Sequence, residues 1–240
     1  MTTHSSATQS IPKIIHQTWK DHHVPQRWKK AVASVKKFHP DWEYRLWTDE
    51  DIDQYVKNKH PDFYPIFKGF NRHIMRVDVI RYIIMHDIGG MYCDMDFEFI
   101  RPYDYSNMDA LFTLERDMNY GDQLNSVANY FFASVPGHPI WKIVLDHLKE
   151  HPPVTKDYTD VVPATGPAFL THRIFHVLPN YPQIKVTPKP VFSPLRLHGK
   201  QERKILLNGG ITHGFHLGTG TWKERYSFIY LKNKAKRLFA

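Results

Sequence analysis

Two consecutive glycines, Gly89 and Gly90, separate two segments of different periodicity, and this junction limits the possible folds more than any other feature. Before it, residues 71–87 (NRHIMRVDVIRYIIMHD) carry apolar side chains at the three- and four-residue spacing of a helix. After it, residues 91–99 (MYCDMDFEF) alternate as a strand does, with one polar face made of Tyr92, Asp94, Asp96 and Glu98. Because glycine readily adopts the left-handed conformation that ends helices, the sequence predicts a helix that turns directly into a strand.

The same two periodicities alternate along the rest of the 240 residues. Strands are predicted at residues 11–19, 44–50, 109–114, 127–135, 184–188 and 209–218. Further helices are predicted at residues 26–38, with lysines on the outer face, and at 138–150 and 168–177. Thr48 or Asp49 is expected to cap a helix after the second strand. Alternating helices and strands over this length predict a single α/β domain that binds ligands near the carboxyl ends of its strands.

Charge and cysteine content restrict the class of protein. The formal charge of +8 is concentrated near the C-terminus, where residues 222–240 hold six Lys or Arg and one Glu. No run of about 18 apolar residues occurs, and the N-terminal MTTHSSATQS lacks a secretory core. Cys93 is the only cysteine, so no intramolecular disulfide can form and a reducing compartment is compatible. We expect a soluble, cytoplasmic protein with a disordered leader at 1–10, a folded domain at 11–222 and a basic tail at 223–240. The tail is either solvated or in contact with an anionic membrane surface.

The paired carboxylates Asp94 and Asp96 indicate a cation site. Residues two apart on a strand are separated by about 6.6 Å, and two carboxylates this close repel each other unless a cation or proton compensates. Mg²⁺ and Mn²⁺ prefer such oxygen ligands and commonly bind the phosphates of a substrate as well. Asp-x-Asp is also a common tripeptide, so a solvated edge strand and the acid–base pair of a glycosidase are alternatives.

A second pair, Asp78 and Arg81, lies three residues apart on one face of the predicted helix. It forms either a surface ion pair worth a few tenths of a kcal/mol or a ligand-binding pair. In the second case the carboxylate accepts hydrogen bonds from sugar hydroxyls, and the guanidinium donates to sugar or phosphate oxygens.

Five segments, in this order along the chain, resemble the DXD-containing sugar transferases of glycosyltransferase family 32, which includes initiating mannosyltransferases and inositolphosphoceramide mannosyltransferases. They are IPKIIHQTWK, LWTDE, RVDVIRYIIMHDIGGMYCDMDFEFIRP, TGP at 165–167 and HLGTGTW at 216–222. The segment around DIGGMY is also similar to the catalytic core of the large clostridial glucosylating toxins. The resemblance implies a GT-A fold, which is a Rossmann-like mixed sheet flanked by helices, and a retaining transfer of sugar from a nucleotide donor.

The resemblance also implies roles for individual residues. Asp94 and Asp96 match the DXD pair, and His216 matches a third metal ligand or a contact to the diphosphate. The remaining matches are donor contacts, namely Asp78 and Arg81 to the sugar, Tyr92 near the ribose, Trp19 stacked on the base, and Thr221 and Trp222 closing over the diphosphate. Where many relatives have a second His and a Trp after His216, this chain has Leu217 and Gly218.

These roles predict a metal-dependent retaining glycosyltransferase whose catalytic domain spans residues 11–222. Asp78, Arg81, Asp94 and Asp96 would carry the reaction, with Mn²⁺ or Mg²⁺ as the metal, because an imidazole beside carboxylates favours Mn²⁺ over Ca²⁺. The expected partners are a UDP- or GDP-linked sugar, a glycan, lipid-linked or protein acceptor, and a membrane surface at the tail. Two other classes are a metal-dependent phosphohydrolase acting on nucleotide diphosphate compounds and a basic binding module; no nucleic-acid motif occurs, so nucleic acid is not an expected partner. Glu98 and His213 are given no role in the reaction.

Overall fold

The chain folds around a mixed β-sheet that has helices on both faces. A computed structural model describes residues 10–116, 126–157, 159–194, 204–205 and 208–219. The strands in these ranges are β1 (Ile14–Thr18), β2 (Glu43–Trp47), β3 (Gly90–Cys93), β4 (Phe97–Phe99), β5 (Ala110–Arg116), β6 (Ser126–Ser134), β7 (Ile184–Thr187) and β8 (Gly214–His216). The helices are α1 (Lys29–Phe38), α2 (Asp49–Lys59), α3 (Tyr64–Gly69), α4 (His73–Asp87), α5 (Pro139–Glu150), α6 (Val161–Ala164), α7 (Pro167–Val177) and α8 (Lys189–Phe192). The predicted tail and all but the last residue of the predicted leader lie outside the described residues.

Six strands form one sheet in the order β2-β1-β3-β6-β5-β7. β1 pairs in parallel with both β2 and β3, and β5 pairs in parallel with β7, whereas β6 is antiparallel to β3 and β5. β4 and β8 pair with each other in a separate antiparallel sheet of two strands. The carboxyl ends of β1, β2 and β3 lie at the same edge of the large sheet, so the residues that follow these strands come together there.

Most of the predicted elements are present. The predicted helix at residues 71–87 is α4, and Thr48 caps α2 in a capping box with Asp51. The prediction of one strand over residues 91–99 is wrong, because β3 ends at Cys93 and β4 belongs to the other sheet. The short helices α3, α6 and α8 were not predicted, and each contains a proline.

The junction between α4 and β3 requires both of its glycines. Gly89 has a φ of +68° and Gly90 a φ of +93°, conformations that glycine adopts without steric cost. A Cβ atom at Gly89 would lie 2.6 Å from the backbone nitrogen of Pro136, and one at Gly90 would lie 2.5 Å from the carbonyl oxygen of Ile14. The chain can therefore turn directly from α4 into the sheet, as the sequence predicts.

Each face of the large sheet buries its own apolar cluster. Tyr92, Phe112 and Phe132 pack against α4, α5 and α7 on one side. On the other side, Met91 and other sheet residues pack against α1, α8 and the aromatic residues of β4. Among the helices that the structure describes, none has the length and apolar composition needed to cross a bilayer.

Candidate functional site

The turn between β3 and β4 carries Asp94 and Asp96 and is closed by its own backbone. The N–H of Phe97 donates to the carbonyl oxygen of Asp94 (3.0 Å), and the N–H of Asp94 donates to the carbonyl oxygen of Tyr130 on β6 (2.9 Å). The first bond makes a four-residue β-turn, so the two carboxylates converge across a turn instead of sharing the face of a strand. Glu98 points elsewhere, because its buried carboxylate pairs with Lys30 of α1 at 2.9 Å.

β8 places His216 beside this turn. Phe97 and His216 are paired in the small sheet, and the imidazole Nε2 lies 2.8 Å from Asp96 Oδ1 and 3.7 Å from Asp94 Oδ2. One ligand atom from each of these side chains lies within 4.8 Å of the others. The structure thus brings together the three residues predicted to bind a metal.

Neighbouring groups fix the orientation of Asp96 and His216. Thr219 donates through its backbone N–H (2.9 Å) and its hydroxyl (2.7 Å) to Asp96 Oδ2, which leaves Oδ1 facing His216. The imidazole ring is stacked on Tyr130, with ring centres 4.1 Å apart and planes within 12°. Burial raises the pKa of Asp96, but hydrogen bonds and charge from His216 and Thr219 lower it by more, so that the pKa is about 2. Burial lowers the pKa of His216, but the two carboxylates raise it by more.

Arg81 and Asp78 lie behind the turn, and they are buried rather than on the surface. Each has 3% of its area exposed. Arg81 Nη1 lies 3.5 Å from Asp94 Oδ1, and its Nη2 lies 3.4 Å from Asp78 Oδ1. Asp78 accepts hydrogen bonds from Asn129 Nδ2 (3.0 Å) and from the Thr165 hydroxyl (2.9 Å). Burial raises the pKa of Asp78 to about 7, although Arg81 and these donors act in the opposite direction.

The ring of Tyr92 is fully buried, and only its hydroxyl reaches the site. The ring is stacked on Phe132 with centres 5.5 Å apart, and the Arg81 guanidinium lies 4.8 Å from its centre. The hydroxyl donates to Asp94 Oδ1 (2.8 Å) and lies 3.1 Å from the Thr18 hydroxyl. In this structure Tyr92 therefore orients the first aspartate of the turn.

Of the other predicted donor contacts, the structure describes only Trp19. Trp19 follows β1 and packs edge-to-face on Trp28, with ring centres 4.7 Å apart. Its indole N–H is buried and has no hydrogen-bond partner among the described atoms. Thr221 and Trp222 lie outside the described residues. His213, predicted to be structural, lies 2.6 Å through Nδ1 from the carbonyl oxygen of Pro102.

Sequence reasoning missed several groups that orient the turn. Gln17 on β1 is fully buried, and its Nε2 donates to the carbonyl oxygen of Asp94 (3.1 Å) while its Oε1 accepts from the Tyr44 hydroxyl (2.8 Å). Tyr130 and Thr219, described above, are the others. These residues come from different parts of the chain, so no local spacing identifies them. Two of the segments that carry the family resemblance contain such groups, because TGP at 165–167 includes Thr165, which donates to Asp78, and HLGTGTW at 216–222 includes Thr219.

A cavity of about 320 Å³ opens where α2, α3 and the first half of α4 meet. Its lining combines acidic, basic and apolar side chains, namely Asp49, Glu50, Ile52, Asp53, Phe67, Lys68, His73, Arg76 and Val77. α2 starts directly after β2, so the cavity lies at the edge of the sheet where the carboxyl ends of the parallel strands meet. Arg81 Nε donates to the carbonyl oxygen of Val77 (3.2 Å), so the cavity wall is one helical turn from Arg81.

Comparison with known proteins gives matches to glycosyltransferases. Residues 25–113 match the family model described as the glycosyltransferase sugar-binding region containing the DXD motif. Inositol phosphoceramide mannosyltransferase 1 of Schizosaccharomyces pombe is 30% identical over 225 residues, which cover 91% of this chain and 67% of that protein. Mannosyl phosphorylinositol ceramide synthase CSH1 of Saccharomyces cerevisiae is 34% identical over 174 residues, which cover 71% of this chain and 44% of that protein. The chain thus spans two thirds of the first of these relatives and less than half of the second.

A solved structure shares the fold. The PaToxG glycosyltransferase superposes with a TM-score of 0.53 at 17% identity, covering 71% of each chain. Together with the mixed sheet and its flanking helices, this likeness confirms the predicted α/β fold of the GT-A type in a single domain.

Proposed function

Because the chain belongs to the family of DXD-containing glycosyltransferases that includes the inositol phosphoceramide mannosyltransferases, we propose that it is a metal-dependent retaining glycosyltransferase acting on a nucleotide sugar. The observation that carries the proposal is the convergence of Asp94, Asp96 and His216 within 4.8 Å, with the Arg81 guanidinium beside them. A solvated edge strand does not account for this geometry, because two of the three residues come from the turn that joins β3 to β4 and the third comes from β8, more than a hundred residues further along the chain.

The donor set fits a divalent cation. Two carboxylates and one imidazole suit Mn²⁺ or Mg²⁺, and the imidazole favours Mn²⁺. Each candidate ligand has a second partner that orients it, which is Tyr92 for Asp94, Thr219 for Asp96 and Tyr130 for His216, as is usual around metal ligands. A bound cation would supply positive charge where the departing diphosphate gains negative charge.

The remaining groups bind and orient the donor. Arg81 would donate to an oxygen of the diphosphate or of the sugar beside Asp94, which lies 3.5 Å from its guanidinium. Its Nη1 and Nε already donate to the carbonyl oxygens of Asn129 and Val77, so this contact would use the remaining N–H groups. Asp78 lies behind Arg81 and orients that guanidinium. Its predicted contact with sugar hydroxyls requires Asn129 or Thr165 to exchange a hydrogen bond for one from the substrate.

We assign the nucleoside of the donor to the cavity beside α4, which differs from the expected stacking of the base on Trp19, a residue that packs on Trp28 and does not line this cavity. The cavity is at the lower end of the size range of ligand pockets, and it adjoins Arg81 along α4. Asp49, Glu50 and Asp53 line the cavity, and carboxylate oxygens suit guanine, whose N1–H and amino group present adjacent donors, better than uracil with its single N–H. Asp53 also accepts from Tyr64 and Lys68, and Asp49 lies 3.1 Å from His73 Nε2, so a bound guanine would share these oxygens with side chains of the protein. We therefore propose a GDP-linked sugar, with mannose as the sugar because the relatives are named mannosyltransferases.

The reaction needs no base from the protein. In a retaining transfer the acceptor hydroxyl attacks the anomeric carbon from the side of the leaving group. The bond from that carbon to the diphosphate breaks, the new glycosidic bond forms, and a diphosphate oxygen takes the acceptor proton. We propose a lipid-linked acceptor, because the relatives are named for a ceramide substrate.

The alternative is a phosphohydrolase that cleaves nucleotide diphosphate compounds with the same cation. It would release nucleotide without any acceptor and would form no glycoside, so product analysis distinguishes the two activities.

The test uses the double variant Asp94→Asn, Asp96→Asn, which removes both charges with little change in shape. Mn²⁺-dependent turnover of GDP-mannose should be abolished, and GDP with Mn²⁺ should no longer raise the melting temperature. In the unchanged protein GDP should raise it more than UDP does. A control variant, Asp62→Asn with Asp146→Asn, makes the same change at positions outside the site and should behave as the unchanged protein. Full turnover by the first variant would refute the assignment.

A further inference from the structure

The outward face of α1 is made of lysines. Lys29, Lys30, Lys36 and Lys37 are exposed, with Ala33 exposed between them. Residues seven apart on a helix lie on the same side, so Lys29 and Lys36 form one row, about 10 Å long, and Lys30 and Lys37 form a second row beside it. We propose that this lysine face, defined by these four residues, docks on an anionic lipid bilayer.

The charge of the lysine face is not cancelled by its surroundings. Residues 22–40 contain no Asp or Glu, and Arg27 adds a fifth cation just before the helix. Glu98, which accepts from Lys30, is one carboxylate against five cations. Neighbouring charges pair among themselves instead, with Lys13 on Asp41, Lys20 near Asp21 and Arg45 on Glu43. The helix therefore presents a concentrated positive field.

The composition of the lysine face favours a bilayer over a protein partner. Protein interfaces are enriched in aromatic residues and Arg and depleted in Lys, whereas this face presents lysines around a single alanine. Lys36 Nζ lies 3.9 Å from the ring centre of Tyr44, and Lys37 Nζ lies 5.3 Å from that of Phe38. Such exposed cation–π contacts are weak, so the flexible lysine stems can leave them and place their charges among lipid head groups. Clusters of four or more Lys or Arg on one helix are typical of binding to anionic lipids, with a gain of about fivefold in affinity per residue.

The position of α1 gives this docking a consequence for the site. Trp28 and Val32, on the buried side of the same segment, pack against Met95, the middle residue of the DXD turn. A bilayer on the lysine face would therefore lie about one helix diameter, 10–12 Å, from the turn. The inference concerns a surface remote from the donor cavity and stands independently of the proposed reaction.

The experiment measures sedimentation of the full chain with phosphatidylcholine vesicles, with and without phosphatidylserine. The unchanged protein should bind only the vesicles with phosphatidylserine, and less as salt rises. The variant Lys29→Gln, Lys36→Gln, Lys37→Gln should bind about 100-fold more weakly. Lys30 is left in place because its removal would leave the buried Glu98 without this cation.

The matched control is Lys57→Gln, Lys59→Gln, Lys149→Gln, which makes the same change in net charge at exposed positions on α2 and α5. It should bind nearly as well as the unchanged protein. Equal weakening by both variants would show that net charge alone acts, and unchanged binding by the α1 variant would assign any binding to another segment; either result overturns the proposal. Binding to poly-glutamate but not to vesicles would also overturn it in favour of an acidic protein partner. The thermal shift with GDP and Mn²⁺ should be the same in all three proteins, so failure of membrane docking and failure of the proposed donor binding are read separately.

Discussion

Replacing Gly89 by alanine should destabilise the protein far more than the same change at Gly137. Both glycines have similar left-handed conformations, with φ of +68° and +67°, so each alanine incurs a similar conformational cost of about 1–2 kcal/mol. Alanine also reduces the conformational freedom of the unfolded chain, which stabilises the folded state by about 0.4–1 kcal/mol at both sites. The backbone terms therefore cancel in the comparison, and the difference between the two variants isolates the steric term.

The steric term is large only at Gly89. A Cβ there would lie 2.6 Å from Pro136 N, 2.7 Å from Ser134 O and 2.8 Å from Pro136 Cδ, whereas at Gly137 nothing lies within 4 Å. Because two of the three atoms belong to backbone, a side chain cannot relieve the overlap by rotating. Overpacking of this kind costs about 1–3 kcal/mol. We expect Gly137→Ala to lose about 1 kcal/mol of unfolding free energy and Gly89→Ala to lose about 2–4 kcal/mol.

Urea unfolding followed by tryptophan fluorescence measures both losses. The midpoint should fall more for Gly89→Ala, with an unchanged dependence of free energy on urea, which would show that the unfolded state is not altered. Equal midpoints for the two variants would refute the argument, because they would mean that the space between the α4–β3 junction and β6 is not closed to a methyl group.

Two further predictions concern a buried histidine and the stacked tyrosine. His16 accepts from Trp47 Nε1 (3.0 Å) and lies 3.0 Å through Nε2 from the carbonyl oxygen of Gly89, and burial lowers its pKa to about 4. Since its pKa is higher in the unfolded chain, the neutral histidine stabilises the fold fully above about pH 6.5, and up to about 3 kcal/mol of unfolding free energy is lost as the pH falls toward 4. Urea unfolding at a series of pH values should show a shallower decline of this free energy for His16→Gln than for the unchanged protein. Parallel curves for the two proteins would contradict the prediction. Tyr130→Leu removes the ring stacked on His216 and should weaken Mn²⁺ binding by about 2- to 12-fold, as measured by electron paramagnetic resonance. The control Tyr130→Phe keeps the ring and should bind Mn²⁺ as the unchanged protein does. If the Leu variant binds Mn²⁺ with unchanged affinity, Tyr130 does not orient His216 for the metal.

The elements that the sequence predicts correctly are those with adjacent local signals. α4 is 15 residues long and contains neither glycine nor proline, and the two glycines after it must be glycine for reasons of local geometry. The prediction for residues 91–99 is wrong because their alternation of apolar and polar side chains fits two arrangements. One is a single strand, and the other is two short strands joined by a turn. The choice between these depends on β8, which pairs with β4 from more than a hundred residues away.

Burial of Asp78 and Arg81 could not be predicted either. Their spacing shows that they share a helix face, but α4 is apolar on most of its surface, so the pattern does not tell which face meets the sheet. The partners that satisfy Asp78, which are Asn129 and Thr165, lie 51 and 87 residues further along the chain. Only the folded topology brings such groups together.

The pairing of β4 with β8 has a consequence for the protein during its synthesis. Thr219 and Asp96 are separated by 123 residues, so a ribosome that adds about 5–20 residues per second completes the turn on the order of ten seconds before it completes the segment that orients it. Through that interval the nascent chain has two carboxylates without their imidazole. The proposed function therefore implies that the growing polypeptide is inactive until β8, which carries His216, has left the ribosomal exit tunnel.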